Sequence, residues 1–297
     1  MKNKRRILIS FFTSMYFLLS GFFTFKFIKK QNNKNTKINS IEKLEIPLVH
    51  HCNLNCASCM YFAPIAQSYH LPPEILKKDL IQMSYLTNGN IEEIAFIGGE
   101  PFLHDNLCGI FRIAREIFPK SKIEIYTNGT LFEKQSSEVW ESCNKNDIGI
   151  NIIFYRFKNL FNFEYIANLI DKYKVKIRTG YPKYQTPNSM FKANKNENYV
   201  RVFEKCKSKS MAVLENGKLY SCHSARSVNE IFNKKFPEKN IPYSNSNFLD
   251  IHKVKSFKEI EEFLEKPKEI CAYCTNKINL ETTWKKSNYK IEEWVKG

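Results

Sequence analysis

The chain has 297 residues, a hydrophobic fraction of 43% and an aromatic fraction of 14%, values of a globular protein with room for a barrel-sized domain and a small appendage. Its net charge of +16 comes from lysines spread beside many Asn and Ile, with no arginine-rich arm and no aromatic platform; nucleic acid is therefore not expected as a partner, and a basic surface facing anionic lipid or an acidic substrate is at least as consistent. Nine cysteines is an odd number, and their tight, metal-type groupings argue against a secreted disulfide framework.

The first predicted element is a membrane anchor over residues 1–30. Residues 1–6 are basic, and residues 7–25 are uncharged and strongly apolar. As a helix that stretch spans roughly 28 Å, close to the roughly 30 Å hydrocarbon core of a bilayer. It is longer than the apolar region of a secretory signal and lacks a clear small-residue cleavage site, which favours an uncleaved transmembrane helix. Four basic residues before it (Lys2, Lys4, Arg5, Arg6) and five after it (Lys26, Lys29, Lys30, Lys34, Lys37) nearly cancel in the positive-inside rule. Residues 31–43 read as a polar linker.

Apolar strands then alternate with helical patterns, which predicts an α/β fold. Residues 44–49 form the first strand and feed Cys52-Asn-Leu-Asn-Cys56-Ala-Ser-Cys59. Three thiolates so close converge on one metal centre and are one ligand short of closing it. Two readings stay open on spacing alone. One is an iron–sulfur cluster with an open iron, and the other is structural zinc with His50 or His51 as a fourth ligand. A helix follows over 72–86, opened by Pro72-Pro73. The strand 94–97 runs into Gly98-Gly99-Glu100-Pro101, where glycines permit a close backbone approach to a ligand and a carboxylate stands at the strand's C-terminal end.

Further on, a helix over 107–118 stops at Pro119, and a strand over 123–126 ends in Thr127-Asn128-Gly129. Thr127 and Asn128 are placed to touch a cofactor or substrate, and a turn-forming role is equally open. Strands over 148–155 and 175–178 flank a helix over 160–173, with Tyr155 and Arg156 at a strand end. No sixth strand is evident between Gly180 and Lys205. Cys108 and Cys143 read as buried thiols. Beyond Cys206, residues 211–222 form a hairpin around Asn216-Gly217 that ends at Cys222. His223 reads as a bystander. Cys271-Ala-Tyr-Cys274 completes a second set of four thiols, suited to a second cluster or to zinc.

The Cys52/Cys56/Cys59 spacing followed by Gly98-Gly99-Glu100-Pro101 resembles the radical S-adenosylmethionine (SAM) superfamily. The resemblance implies a partial (β/α)6 TIM-like barrel over 44–200. It makes Cys52, Cys56 and Cys59 the catalytic ligands of a [4Fe-4S] cluster whose open iron is chelated by SAM, with Gly98, Gly99, Glu100 and Pro101 at the methionyl end. The family usually has an aromatic residue where this chain has Ser58, and Tyr61 or Phe62 is expected to substitute near the adenine. Cys206, Cys222, Cys271 and Cys274 resemble a SPASM/twitch auxiliary iron–sulfur domain over 201–297, in its shorter single-cluster form. The ending, with Trp284, Ser287 and Glu292-Glu293-Trp294, resembles members that accompany cell-surface glycan systems.

The activity implied is reductive cleavage of SAM to a 5′-deoxyadenosyl radical and hydrogen abstraction from a peptide side chain, a sugar or another small metabolite. A low-potential donor such as a flavodoxin or ferredoxin is implied, and the catalytic domain is expected in the cytoplasm, anchored to the membrane through residues 7–25. The competing class is a non-enzymatic iron–sulfur or zinc-binding electron-transfer protein at the membrane.

Overall fold

Alternation within the first strand sets the architecture. In β1 (Ile41–Val49), Leu44, Ile46 and Leu48 join a large apolar core, while Lys43 and Glu45 alternate onto the opposite face. The computed structural model describes residues 40–153, 162–180, 191–196, 198–206, 208, 211–239, 241, 245–275 and 284–296. The strand thus begins three residues earlier than expected, because Ile41 is buried and pairs with Ile91.

Helix α1 (Pro73–Thr87) starts on a proline and ends where Asn88 and Gly89 turn left-handed. It returns the chain to β2 (Ile91–Gly98), parallel to β1. Helix α2 (Leu107–Ile117) is capped by Asn106, whose side-chain oxygen accepts from the Gly109 N–H at 3.0 Å. Then come β3 (Lys122–Thr127), α3 (Ser137–Lys145), β4 (Ile148–Ile153), α4 (Phe163–Tyr173) and β5 (Lys176–Gly180). Each of these strands lies parallel to the one before it, the winding of a (β/α) barrel. Helix α3 was not expected; it buries Trp140 and Cys143, whereas Cys108 is only half-buried.

The chain continues through β6 (Phe191–Lys192), α5 (Tyr199–Glu204), β7 (Ala212–Glu215) and β8 (Lys218–Tyr220). Helix α6 (His223–Ser227) runs into a π-turn (Val228–Phe232), and β9 (Phe248–Asp250), α7 (Phe257–Glu265) and β10 (Val295–Lys296) complete the order. The expected hairpin is β7–β8, turned at Asn216 and Gly217 with φ of 49° and 74°.

The main sheet has the order β5-β4-β3-β2-β1-β7-β8-β9. Strand β7 lies parallel on the free edge of β1, with Leu44 opposite Ala212. That edge is where a closed barrel would return, so the sheet stays open, and among the described residues no sixth barrel strand follows β5. The sheet also runs on past the domain boundary expected at residue 200. No helix among the described residues is long and apolar enough to cross a membrane. The span expected at residues 7–25 lies outside them, as do Tyr155 and Arg156.

Candidate active site

Beyond Val49 the β1 backbone keeps pairing with the end of β2. The Gly99 N–H donates to the Val49 carbonyl at 2.9 Å, and the Glu100 N–H to the His51 carbonyl at 3.0 Å. A Cβ on Gly98 would stand 2.2 Å from the Val49 oxygen, and one on Gly99 would stand 1.9 Å from the His51 oxygen. The close approach expected of these glycines is therefore to the cysteine loop itself. Gly99→Ala is expected to push that loop off the sheet, costing about 1–3 kcal/mol or more as an overpacked contact and lowering front-site iron in reconstituted protein, measured by metal analysis.

Glu100 is 1% exposed. Its Oε1 accepts from the Thr127 hydroxyl at 2.6 Å and the Phe102 N–H at 3.1 Å, and its Oε2 accepts from the Asn128 N–H at 2.8 Å. Burial outweighs these donors and raises its pKa to about 7. Asn128 then reaches across to the cysteine loop, donating from Nδ2 to Asn53 Oδ1 at 2.9 Å and toward Cys52 Sγ at 3.7 Å. Thr127 and Asn128 thus take the turn-forming role and also fasten the Glu100 carboxylate beside the first cysteine. Pro101 opens a short 3-10 turn behind it.

The three front thiols are half-buried in one loop, and Cys59 bears on both Cys52 and Cys56. Burial raises all of their pKa values, Cys56 to about 12. Glu100, Cys59 and Cys56 each push Cys52 up further. A bare trio of this kind stays protonated, and a cation that takes the thiolates relieves both burial and mutual repulsion. The donor set fits an iron–sulfur cluster on three protein ligands.

The flanking histidines are differently placed. His50 Nε2 meets Glu215 Oε1 at 2.5 Å, and Glu215 is paired bidentately with Arg226 at 2.6 and 2.8 Å. That bond turns His50 toward the hairpin. His51 stacks on His70, with ring centroids 5.2 Å apart. Phe62 is fully buried, stacked on Trp294 and edge-on to Phe232, so its ring is committed to the core, which leaves Tyr61 of the two aromatics expected near the adenine. Tyr61 packs against His223, which bonds Glu45 Oε2 at 2.9 Å.

At the rear, the charges of Cys274, Cys271 and Cys206 all bear on Cys222, which burial pushes up to about 12. All three thus lie close enough to Cys222 to act on its charge. Cys222 also caps α6, its sulfur accepting from the Ala225 N–H at 3.4 Å. Burial lowers nearby Lys268 to about 8.

The Glu215–Arg226 and Glu45–His223 pairs escaped the sequence reading, as did a charged row across the barrel-side face of the sheet. There Lys43 bonds Glu93 at 3.2 Å, Lys122 bridges Glu93 and Glu124 at 2.7 and 2.8 Å, and Arg178 bonds Glu124 at 2.8 Å. The only signal for it was a charge at every second position in otherwise apolar strands.

A family model described as the radical SAM superfamily matches residues 46–215. The chain is 33% identical over 90 residues to a GTP 3′,8-cyclase of Streptomyces coelicolor, covering 29% of this chain and 26% of that protein. It is 27% identical over 139 residues to a GTP 3′,8-cyclase of Syntrophomonas wolfei, covering 46% and 41%. The chain spans less than half the length of these relatives. Among solved structures, it is similar in fold to BtrN in complex with AdoMet and 2-DOIA, with a TM-score of 0.52 and 18% identity over 84% of this chain and 98% of that one.

Proposed function

This chain belongs to the radical S-adenosylmethionine superfamily, and from that premise we propose that it cleaves SAM reductively at Cys52, Cys56 and Cys59 and directs the resulting radical at a C–H bond of a polar substrate. It is an enzyme whose cofactors are a [4Fe-4S] cluster and SAM. Bound together, these supply a 5′-deoxyadenosyl radical able to take hydrogen from an unactivated carbon. The observation that carries the reading is a loop of three half-buried thiols beside a buried glutamate, joined to it through Asn128. Three protein ligands leave one iron to the amino and carboxylate groups of SAM. Glu100 receives the methionyl ammonium, Thr127 and Asn128 keep its carboxylate aimed, and the tight Gly98-Gly99 junction with Pro101 behind it keeps the carboxylate close to the cysteines.

For the substrate, the charged row on the sheet favours a compact polar molecule over a bare peptide side chain. The name GTP 3′,8-cyclase carried by the relatives points the same way, toward a nucleotide or sugar-like class. Cys206, Cys222, Cys271 and Cys274 hold a second [4Fe-4S] cluster in this reading, in a SPASM/twitch-like arrangement. A flavodoxin or ferredoxin supplies the electron, and residues 7–25 anchor the chain with its catalytic part in the cytoplasm. Anaerobic reconstitution, dithionite reduction and chromatography for 5′-deoxyadenosine test the activity. Metal without cofactor cleavage would return the protein to the electron-transfer class.

Glu100→Gln removes a charge-assisted contact of about 1.5–3 kcal/mol, so SAM binding is expected to weaken roughly 10- to 100-fold. With a carboxyl that titrates near 7, affinity in the parent falls as the pH drops from about 8 to about 6, because protonation removes the anion that meets the ammonium. Equilibrium dialysis reads both; an unchanged Kd takes Glu100 out of contact with the cofactor.

A further inference from the structure

The loop that carries the front cysteines is held in an unfavourable shape. Asn55, Ser58 and Phe62 all have positive φ, at 50°, 54° and 56°. Asparagine tolerates this region, but for serine and phenylalanine it costs of order 1–3 kcal/mol each unless the surroundings impose it. The imposing element comes from the far end of the chain.

Residues 284–294 lie along the loop. The Ala57 N–H donates to the Lys285 carbonyl at 2.9 Å, and the Ser287 N–H donates to the Asn55 carbonyl at 2.8 Å, so Lys286 stands opposite Cys56 in an antiparallel bridge. The Ser58 hydroxyl donates to the Glu293 carbonyl at 2.7 Å, and its N–H to Glu293 Oε2 at 3.3 Å. The Trp294 indole N–H donates to the Cys59 carbonyl at 3.0 Å. Glu293 is itself fixed by Ser287 Oγ at 2.8 Å and by the Asn288 N–H at 2.5 Å. Trp294, fully buried, stacks on Phe62 with ring centroids 5.5 Å apart. Both positive-φ residues without an intrinsic tolerance are thus pinned by this segment.

The same segment is tied to the rear cysteines through residues 191–196. The Phe191 N–H donates to the Trp294 carbonyl at 2.9 Å, and the Ala193 N–H to the Lys296 carbonyl at 2.8 Å. From the same short stretch, the Lys192 N–H donates to the Tyr273 carbonyl at 2.8 Å and the Asn196 N–H to the Ala272 carbonyl at 2.8 Å, and Phe191 forms a bridge with Cys274. Main-chain hydrogen bonds therefore run from the Cys271–Cys274 loop through 191–196 to 294–296, and the Ser58 hydroxyl and the Trp294 indole carry the connection on to the front loop.

We propose that residues 284–294 are a clamp on the front cysteine loop, with Glu293 and Trp294 as positioning residues, and that the clamp couples occupancy of the rear cysteines to retention of metal at the front. The coupling rests on the metal-binding reading above, whereas the clamp does not. By linkage, metal at either site then favours metal at the other.

Hydrogen exchange followed by mass spectrometry on the full chain tests the clamp in metal-free protein. Glu293→Ala is expected to speed exchange of peptides spanning residues 52–62 by about tenfold or more, the loss of roughly 1.4 kcal/mol of local protection. The neighbouring exposed Glu292→Ala is expected to leave it unchanged. Ser58→Ala removes one clamp bond without touching the segment, and is expected to speed exchange by a smaller factor, which keeps the test open if Glu293→Ala misfolds. Unchanged exchange in Ser58→Ala and Glu293→Ala overturns the clamp. The doubly substituted Cys271→Ser/Cys274→Ser chain, reconstituted with iron and sulfide, tests the coupling: front-cluster iron and its reduced-state electron paramagnetic resonance signal are expected to fall severalfold, and full retention overturns the coupling. A parent chain that takes up no front cluster sinks the radical-enzyme reading while the exchange result still decides the clamp.

Discussion

Arg226→Met is expected to destabilise the protein by about 3–5 kcal/mol, the loss incurred when one partner of a buried ion pair is removed and the other charge is stranded. Arg226 has no exposed surface and Glu215 is 2% exposed. The two share a bidentate contact, and His50 closes on the same carboxylate. Methionine fills much of the volume but leaves the Glu215 carboxylate with His50 in place of a bidentate guanidinium. For a chain of this size the midpoint of thermal unfolding should fall by about 10 °C, read by calorimetry under anaerobic conditions. Glu215→Gln combined with Arg226→Met is expected to recover part of the loss, since no charge is then stranded. A midpoint shift within about 2 °C for Arg226→Met would show that the pair does not hold the hairpin to β1.

The same pair sets an acid limit. Burial alone would raise Glu215, but Arg226 and His50 outweigh it and hold its pKa at about 2, against an ordinary 4.5. A lowered carboxyl contributes stability that is fully present above 4.5 and is lost as the pH falls toward 2, about 3 kcal/mol over that window. Burial lowers His50 as well, so stability is also lost below its ordinary 6.5, in the same direction. Urea titrations at stepped pH should show the decline.

Cys56→Ala is expected to abolish 5′-deoxyadenosine formation. With both sites filled by four-iron clusters, metal content should fall from about eight to about four irons per chain, while Cys222→Ala should remove the other four. Four irons and one zinc in the parent would refute a second cluster at the rear. Iron and product formation unchanged in Cys56→Ala would remove the front trio from the chemistry altogether.

The parts of the site that were legible in the sequence are those whose chemistry is local. Cys52, Cys56 and Cys59 lie within one loop, Gly98 to Pro101 within one strand end, and Asn216-Gly217 within one turn. The pairing partners were not legible, because Glu45 and His223 are 178 residues apart and His50 and Glu215 are 165 apart, and nothing near either member names the other. Phe62 shows the same limit. It stands where an aromatic ring beside the cysteines would be useful, yet a tryptophan 232 positions later draws it into the core. Helices α3 and α5 and strand β6 were missed because their patterns are short and mixed, and beyond the hairpin α6, β9, α7 and β10 were not read at all. The barrel was legible as five strands, but the fate of its open edge depends on a hairpin more than a hundred residues downstream.

That edge makes the N-terminal part of the sheet inseparable from the C-terminal third of the chain. A fragment ending before residue 211 would leave the outer rim of β1 with unmet amide and carbonyl groups at Leu44 and Glu45, where Ala212 and Val213 now sit. Exposed rims of this kind recruit strands from other molecules. Expressed alone, such a fragment should collect as aggregates, and supplying the remainder as a second polypeptide should return it to solution.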